Sequence, residues 1–454
     1  MTDDTDGLPS PQRQLVTACV ILGVILVNLD SAIANIALPT IGRDFAASEA
    51  ATVWVVNSYH LAVAVCLLPA AAFGEILGVK RVYAFGLIVF MAASLLCAVS
   101  PDLDLLVAAR VGQGIGGACI GALGPALIRG VYPRRIIGQG FALIALAVAL
   151  SAVVGPTISA LILAVASWPW LFLVNLPVCL VAAPLFLAVA PASPTQKRPF
   201  DIVGGVLNAV ALGLIVTGVG SLGGSFSRLG MYAIAAGVVV GVVLVRQQRG
   251  RKTPLLPLDL LRIPVFALSA GASVCSYAAQ ITAYISLPFL FQTVLHRSAV
   301  ATGLLVTPWP LLVSVSAPLA GRLVQRFPPA VLSSAGLSVL ALGLVLLVAM
   351  PAVPADWDVA WRMAVCGIGF GFFQTPNNTV LMTSGPVARS AAASGLVAMA
   401  RTIGWSLGSA LVALIFAARG SAGTVICLSV GAAFAAVGAV LSVARIRGAG
   451  AGRA

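Results

Sequence analysis

Long apolar runs separated by short polar segments repeat along the whole chain. The first run, LVTACVILGVILVNLDSAIANIALP at 15–39, is longer than the roughly 20 residues that an α-helix needs to cross a bilayer. Runs of this kind predict fourteen membrane-spanning helices. Their approximate bounds are 15–39, 52–73, 81–100, 104–128, 137–165, 169–190, 201–222, 230–247, 265–290, 301–321, 329–350, 359–383, 391–417 and 422–444.

The composition agrees with this pattern. Of the 454 residues, 60% are hydrophobic and only 9% are charged, whereas soluble domains carry about 25% charged residues. The N-terminal segment MTDDTDGLPSPQRQ is acidic and polar, unlike a secretory signal, so we expect the first apolar run to remain as a membrane anchor. The fold class predicted is an all-α polytopic membrane protein.

The net charge of +13 first suggests a nucleic-acid partner, but its distribution along the chain argues against one. Most of the 26 Lys and Arg residues fall in alternate loops, as the positive-inside rule requires of cytoplasmic segments. We therefore expect an inner-membrane protein with both termini in the cytoplasm and no nucleic-acid partner. The basic residues outside this pattern are Arg43, Arg228, Arg297, Arg362 and Arg419 on the outer side, and Arg110 and Arg401 within the membrane.

The sequence carries no signature of catalysis. All eight cysteines lie inside predicted spans and none forms a C-x-x-C pair, which favours packing residues over disulfides or metal ligands. There is no Walker motif and no long soluble segment. We expect no enzyme activity, no cofactor and no metal site.

The chain divides into two six-span halves separated by an inserted pair of spans. The first half covers 1–190, a linker and the inserted pair cover 191–253, and the second half covers 254–454. AAFGEILGVKR at 71–81 is weakly repeated as GRLVQRFPP at 321–329, with Glu75 and Gln325 in equivalent places. Repeated halves are typical of secondary transporters.

Several motifs follow one another in order. The first span reads LDSAIANIALPTI, the loop after span 2 reads AAFGEILGVKRVY, and span 4 reads LLVAARVGQGIGGACIGALGP. Span 5 contains SAVVGPTISA, and SWPWLFLVNLPV begins at 167. Together they resemble the motifs of the major facilitator superfamily, and within it those of the fourteen-spanner drug:proton antiporters. The resemblance implies two six-helix bundles plus two inserted helices.

The resemblance also implies roles for two motifs. Glu75, Gly78, Lys80 and Arg81 match a loop motif that closes the cytoplasmic face through a charge network in one conformational state; the alternative is a solvated loop that only sets topology. The Gly155–Pro156 pair matches a helix-packing motif of span 5, where small residues let helices approach and bend.

Three polar residues of the first half lie at a similar predicted depth. Asp30 in span 1, Arg110 in span 4 and His60 in span 2 each lie about 9–14 Å below the outer interface, from a rise of 1.5 Å per residue. A buried acid costs about 2.5–3.5 kcal/mol on insertion scales, so Asp30 is a functional candidate. We expect Asp30 to pair with Arg110 and to couple proton uptake to transport; the alternative is a permanent structural ion pair. His60 is either a neutral hydrogen-bonding residue or a proton relay.

The second half supplies the expected substrate cavity. Its polar and aromatic candidates suit an amphiphilic organic solute, although some of them will serve only as hydrogen bonds between helices. They are Tyr277, Gln280 and Tyr284 in span 9, Gln374, Asn377 and Asn378 in span 12, and Arg401 in span 13. Arg401 has no acid nearby in sequence, so it either packs against backbone carbonyls or attracts an anionic group.

The sequence thus predicts a proton-coupled exporter of small amphiphilic organic compounds that works by alternating access. The alternatives are a dedicated metabolite exporter or proton symporter on the same fold and, from another class, a non-transporting membrane sensor or scaffold. The expected partners are the substrate, protons and membrane lipids, and a monomer is the expected state.

Overall fold

The computed structural model is helical throughout the residues that it describes, which are 7–193, 195, 199–222, 227–249, 258–385 and 390–451. The first half contains α1 (Ser10–Asp44), α2 (Glu49–Leu77), α3 (Val79–Ala98), α4 (Leu103–Val131), α5 (Ile137–Val165), α6 (Trp170–Leu173) and α7 (Asn175–Val189). The middle contains α8 (Ile202–Ser221), α9 (Ser227–Gln248) and α10 (Leu258–Leu261). The second half contains α11 (Pro264–Phe289), α12 (Ala299–Val306), α13 (Pro308–Leu323), α14 (Pro329–Val348), α15 (Asp356–Thr383), α16 (Ser390–Arg419) and α17 (Thr424–Ala451).

Local sequence signals set several helix ends. The side chains of Ser48 and Asp102 accept hydrogen bonds from backbone amides in the first turns of α2 and α4, and such caps satisfy donors that have no partner within the helix. Gly78 has φ 96°, a backbone conformation that residues with a side chain rarely adopt. Because of this residue, α2 ends and α3 begins within a single position.

Twelve segments of the described chain are long and apolar enough to cross a membrane. The predicted fourteen spans differ from these twelve at two places. The last segment, Ala393–Arg445, runs through most of both α16 and α17, and α15 is not among the twelve. The Gln-Thr-Pro-Asn-Asn sequence at 374–378 lowers the mean hydropathy of α15.

Both ends of the molecule can be named by residues of the first helices. We call the end where α1 meets α2 the Asp44 end, and the end where α2 meets α3 the Lys80 end. The two halves share an apolar cluster at the Asp44 end, in which residues of α1 and α2 pack with residues of α11 and α16. Polar contacts also join the halves there: the Gln292 side-chain amide donates to the Ile36 carbonyl oxygen at 2.9 Å, and the Ser409 hydroxyl donates to Asn57 Oδ1 at 2.8 Å.

The inserted helices α8 and α9 pack on each other, and α8 also packs against α2 and α16. Phe200, just before α8, stacks on Phe73 of α2 with ring centroids 4.2 Å apart. The inserted pair therefore lies beside the junction of the two halves. The predicted boundary between residues 253 and 254 lies outside the described residues.

Glycines let two pairs of helices approach closely in equivalent parts of the two halves. A Cβ at Gly116 of α4 would lie 2.7 Å from the Gly86 carbonyl oxygen of α3, and a Cβ at Gly336 of α14 would lie 2.7 Å from the Gly369 carbonyl oxygen of α15. Both neighbours are backbone atoms, so the helices themselves would have to separate.

We expect Gly116→Ala to destabilise the protein by about 1–3 kcal/mol, the usual cost of overpacking. Thermal unfolding in detergent micelles measures the effect as a lower unfolding temperature. Gly121→Ala on the same helix is the matched control, because a Cβ there would meet nothing within 4 Å. An equal unfolding temperature for the two variants would contradict the close approach of α3 and α4.

Candidate functional site

A buried ion pair lies between the first and fourth helices. Arg110 of α4 is 0% exposed and Asp30 of α1 is 1% exposed. The Arg110 Nη1 group donates a short hydrogen bond to Asp30 Oδ2. The two residues that the sequence places at one depth are thus in direct contact.

Three neutral side chains complete the surroundings of the pair. Gln113, one turn after Arg110, donates from Nε2 to Asp30 Oδ1 at 3.2 Å and to Ser94 Oγ at 2.7 Å. Its Oε1 accepts from Arg110 Nη1 at 2.7 Å. Asn175, the first residue of α7, donates to Asp30 Oδ1 at 2.8 Å. Asp30 therefore binds donors from α4 and α7.

Arg110 also contacts the second helix. Its Nε donates to the Val55 carbonyl oxygen of α2 at 2.9 Å, and its guanidinium carbon lies 4.4 Å from the centroid of the Tyr59 ring. Stacking on an aromatic face favours a cation. The ion pair is therefore in direct contact with α1, α2 and α4.

His60 lies on another side of α2. Its ring packs against Trp405 of α16, with centroids 4.9 Å apart, and against the neighbouring Tyr59 at 5.5 Å. It is 1% exposed, and neither ring nitrogen has a hydrogen-bond partner among the described residues. The structure brings His60 to the junction of the halves rather than into contact with Asp30 or Arg110.

The basic residues of the loop motif have different surroundings. Lys80 donates from Nζ to the Ala190 carbonyl oxygen at 2.5 Å, where it caps the end of α7. Arg81 is exposed. Within the described part of the chain, no ion pair joins Glu75 to Lys80 or Arg81. Lys80 therefore stabilises the end of α7 in this conformation. The charge network around Glu75 stays a prediction.

The Gly155–Pro156 pair lies where α5 meets two other helices. A Cβ at Gly155 would lie 2.6 Å from the Cβ of Ala32 in α1. A Cβ at Gly303 of α12 would lie 2.6 Å from the Pro156 carbonyl oxygen. The motif therefore permits close packing within the first half and between the two halves.

Three of the predicted cavity residues contact one tryptophan, Trp405, and a fourth, Gln374, bonds to one of those three. The indole Nε1 donates to Gln280 Oε1 at 3.2 Å, and the Tyr277 ring lies 5.6 Å away, edge to face. Gln374 donates to the Tyr277 hydroxyl at 2.9 Å. The guanidinium carbon of Arg401 lies 5.3 Å from the indole centroid.

The other three cavity candidates have different neighbours. Tyr284 packs edge to face on Trp309 at 5.1 Å and borders the apolar clusters of both the second half and the Asp44 end. Asn377 is 1% exposed and accepts from Arg445 Nη1 at 2.7 Å. Asn378 is half-buried. Tyr284 and Asn377 thus hold helices of the second half together.

Arg445 is a second fully buried arginine. The sequence pattern ends the last span at residue 444, which places Arg445 in the C-terminal tail. It also donates to the Ser269 hydroxyl at 2.7 Å and to the backbone and side chain of Ser442. These partners are neutral oxygens. The tertiary structure therefore extends the last helix beyond the predicted end at residue 444.

The family model described as Major Facilitator Superfamily matches residues 20–409. The chain belongs to the major facilitator superfamily. It is an integral membrane protein of a family of transporters rather than enzymes, and the resemblance read from its motifs is confirmed.

Other members of the superfamily resemble it along most of their length. The chain is 46% identical to the uncharacterized transporter YebQ of Escherichia coli strain K12, over 97% of each protein. It is 32% identical to the multidrug resistance protein Stp of Mycobacterium tuberculosis, over 87% of this chain and 74% of Stp. It is 27% identical to the riboflavin transporter RibZ of Clostridioides difficile strain 630, over 89% of each.

The same architecture occurs among solved structures of the superfamily fold. A crystal structure of a POT family transporter in complex with 5-aminolevulinic acid superposes with a TM-score of 0.73, over 95% of this chain and 96% of that one. The sequences are 14% identical, so the likeness concerns the fold alone.

Sequence reasoning about this member of the superfamily missed Ser94, Asn175 and Trp405. Asn175 lies in the SWPWLFLVNLPV motif, where it is a polar residue within an apolar segment. Trp405 follows Arg401 by four residues, the spacing that puts two side chains on one helical face. The sequence does not indicate what these two side chains bind, because Asn175 bonds to Asp30 of α1 and Trp405 bonds to Gln280 of α11.

We expect Arg110→Gln to destabilise the protein by about 3–5 kcal/mol, because it leaves the Asp30 carboxylate buried without its cation. The double variant Asp30→Asn/Arg110→Gln removes both charges and recovers most of that stability. A double-mutant cycle of thermal unfolding in micelles measures the coupling. Additive losses would show that the two charges do not stabilise each other.

Proposed function

We propose that this member of the superfamily exports small amphiphilic organic compounds in exchange for protons. The observation that carries the proposal is the Asp30–Arg110 pair. Among the described residues, Asp30 is the one carboxylate that is nearly fully buried. Such a group is expensive to keep inside a membrane, which favours a function that needs it.

Protonation of Asp30 removes the negative charge that faces Arg110. The guanidinium then loses its ionic partner while it keeps its hydrogen bond to the Val55 carbonyl of α2. Arg110 is then free to find another acceptor, and the ionic link between α1 and α4 is lost, while Gln113 still donates to Asp30 Oδ1. Proton binding thereby changes the relation of three helices, and this change is the coupling step that we propose.

Protonation of Asp30 affects transport through the side of the membrane on which the protein opens. We place the Lys80 end at the cytoplasm of the inner membrane, because Lys80, Arg81 and Arg129 lie there and positive loops stay inside. Both termini are then cytoplasmic. The cluster at the Asp44 end joins α1 and α2 to α11 and α16, whereas Leu68 of α2 is the one first-half residue among the buried members described for the cluster nearer the Lys80 end. We therefore propose that the outer side is the closed one in this conformation. Loss of the ionic link between α1 and α4 loosens this closed side.

The proposed topology has fourteen spans in a monomer surrounded by lipid. It adds α15, whose 28 residues are long enough to cross, and separates α16 from α17 within Ala393–Arg445. The proposed multidrug range is supported by the relation to Stp. A dedicated metabolite transporter is the second candidate, since RibZ, named a riboflavin transporter, is also a relative.

We expect Asp30→Asn to abolish transport driven by a pH gradient while the protein still inserts in the membrane, since the amide cannot carry the proton. Liposomes with an imposed pH gradient and a panel of dyes, antibiotics and riboflavin measure transport. Asp104→Asn is the control, because Asp104 is exposed in the first turn of α4. Wild-type rates for Asp30→Asn would refute the coupling. Movement of several unrelated compounds supports multidrug export, and movement of one alone supports the metabolite transporter.

Cross-linking tests alternating access at the closed end. Thr40 and Gln292 come from different halves, and their side-chain oxygens are 3.5 Å apart. We expect the Thr40→Cys/Gln292→Cys variant to lose transport when a short reducible bifunctional thiol reagent links the two cysteines and to regain it on reduction, because the link holds the outer side shut. Each single variant serves as a control. Undiminished transport by the cross-linked protein would contradict opening at this end.

A further inference from the structure

Arg401 has surroundings unlike those of the two fully buried arginines, Arg110 and Arg445. Arg110 has a carboxylate partner, and Arg445 is enclosed by neutral oxygens. Arg401 is half-buried, and its Nε has no hydrogen-bond partner among the described residues. Within the same part of the chain, no ion pair involves it. Among the described residues its charge therefore has no carboxylate partner.

The acidic residues of the second half lie at its ends. They are Asp259, Asp356 and Asp358. Asp356 pairs with Arg297 at 3.0 Å and Asp358 pairs with Arg362 at 3.1 Å. In the first half, Asp30 already pairs with Arg110. Within the described chain no carboxylate pairs with Arg401, so an anionic ligand is a suitable counter-charge for it.

An aromatic surface lies beside this charge. The Trp405 indole is fixed by its hydrogen bond to Gln280 and by its contact with the Tyr277 ring. Arg401 and His60 approach the same indole, at 5.3 Å and 4.9 Å. His60 belongs to the other half of the protein and has both ring nitrogens unpartnered within the described chain. A ligand held here would contact both halves at once.

We propose that the site formed by Arg401, Trp405 and His60 binds organic anions that carry an aromatic ring, such as aromatic carboxylates. The ring of the ligand packs on the indole, the guanidinium pairs with the anionic group, and a His60 nitrogen supplies a further hydrogen bond. This inference rests on the proposed export function and names its substrate class. An anion that leaves the cell and a proton that enters it both make the cytoplasm more positive. The membrane potential, which is negative inside, therefore also drives this exchange.

Equilibrium dialysis of the purified protein with 2-naphthoate and its uncharged amide, 2-naphthamide, tests the site directly. We expect the wild type to bind naphthoate at least ten times more tightly than naphthamide. Arg401→Gln removes this preference, Arg401→Lys keeps part of it, and Trp405→Phe weakens both ligands. Arg326→Gln, at an exposed position after α13, keeps the full preference. Size-exclusion profiles and unfolding temperatures verify that each variant is folded.

Equal affinity for the two compounds, no binding of naphthoate, or an unchanged preference in folded Arg401→Gln would overturn the inference. Liposome transport separates this result from failure of the proposed function. If a pH gradient moves cationic dyes but naphthoate does not bind, the export function stands and the anion site is wrong. If naphthoate binds through Arg401 but no compound moves, the site stands and proton-coupled export is wrong.

Discussion

The burial of one carboxylate and one guanidinium sets the organisation of the first half. Neither Asp30 nor Arg110 is tolerable alone among apolar helices, so each requires the other together with neutral donors and acceptors. Those groups are Gln113, Asn175 and Ser94, which come from α4, α7 and α3. The hydrogen bonds that offset the cost of burying these two charges therefore also join four helices.

The second helix connects this pair to the other half of the protein. One face of α2 offers the Val55 carbonyl and the Tyr59 ring to Arg110, and another face carries Asn57 and His60 against α16. A change of charge at Asp30 therefore reaches the junction of the halves through one rigid element. Alternating access needs such a connection between a proton site and the surfaces that open.

The three inner arginines show how differently one side chain is used. In the Arg110 site a carboxylate neutralises the charge, and in the Arg445 site serine and asparagine oxygens solvate it. Arg401 is stacked beside an indole and remains partly accessible. The first two positions hold the fold together, whereas the third retains capacity for a ligand.

The sequence by itself determined the fold class and the presence of two charged residues, Asp30 and Arg110, inside apolar helices. Apolar runs long enough to span a bilayer specify helices because each helix satisfies its own backbone hydrogen bonds, and the depth of Asp30 and Arg110 follows from the rise per residue. Depth alone predicted that Asp30 and Arg110 meet, but it left their other partners undetermined. Only the tertiary structure decided that Asn175 joins the ion pair, that His60 contacts Trp405, and that Asn377 binds Arg445. These outcomes depend on the rotation and packing of helices that are far apart in sequence, which periodicity within one helix does not encode.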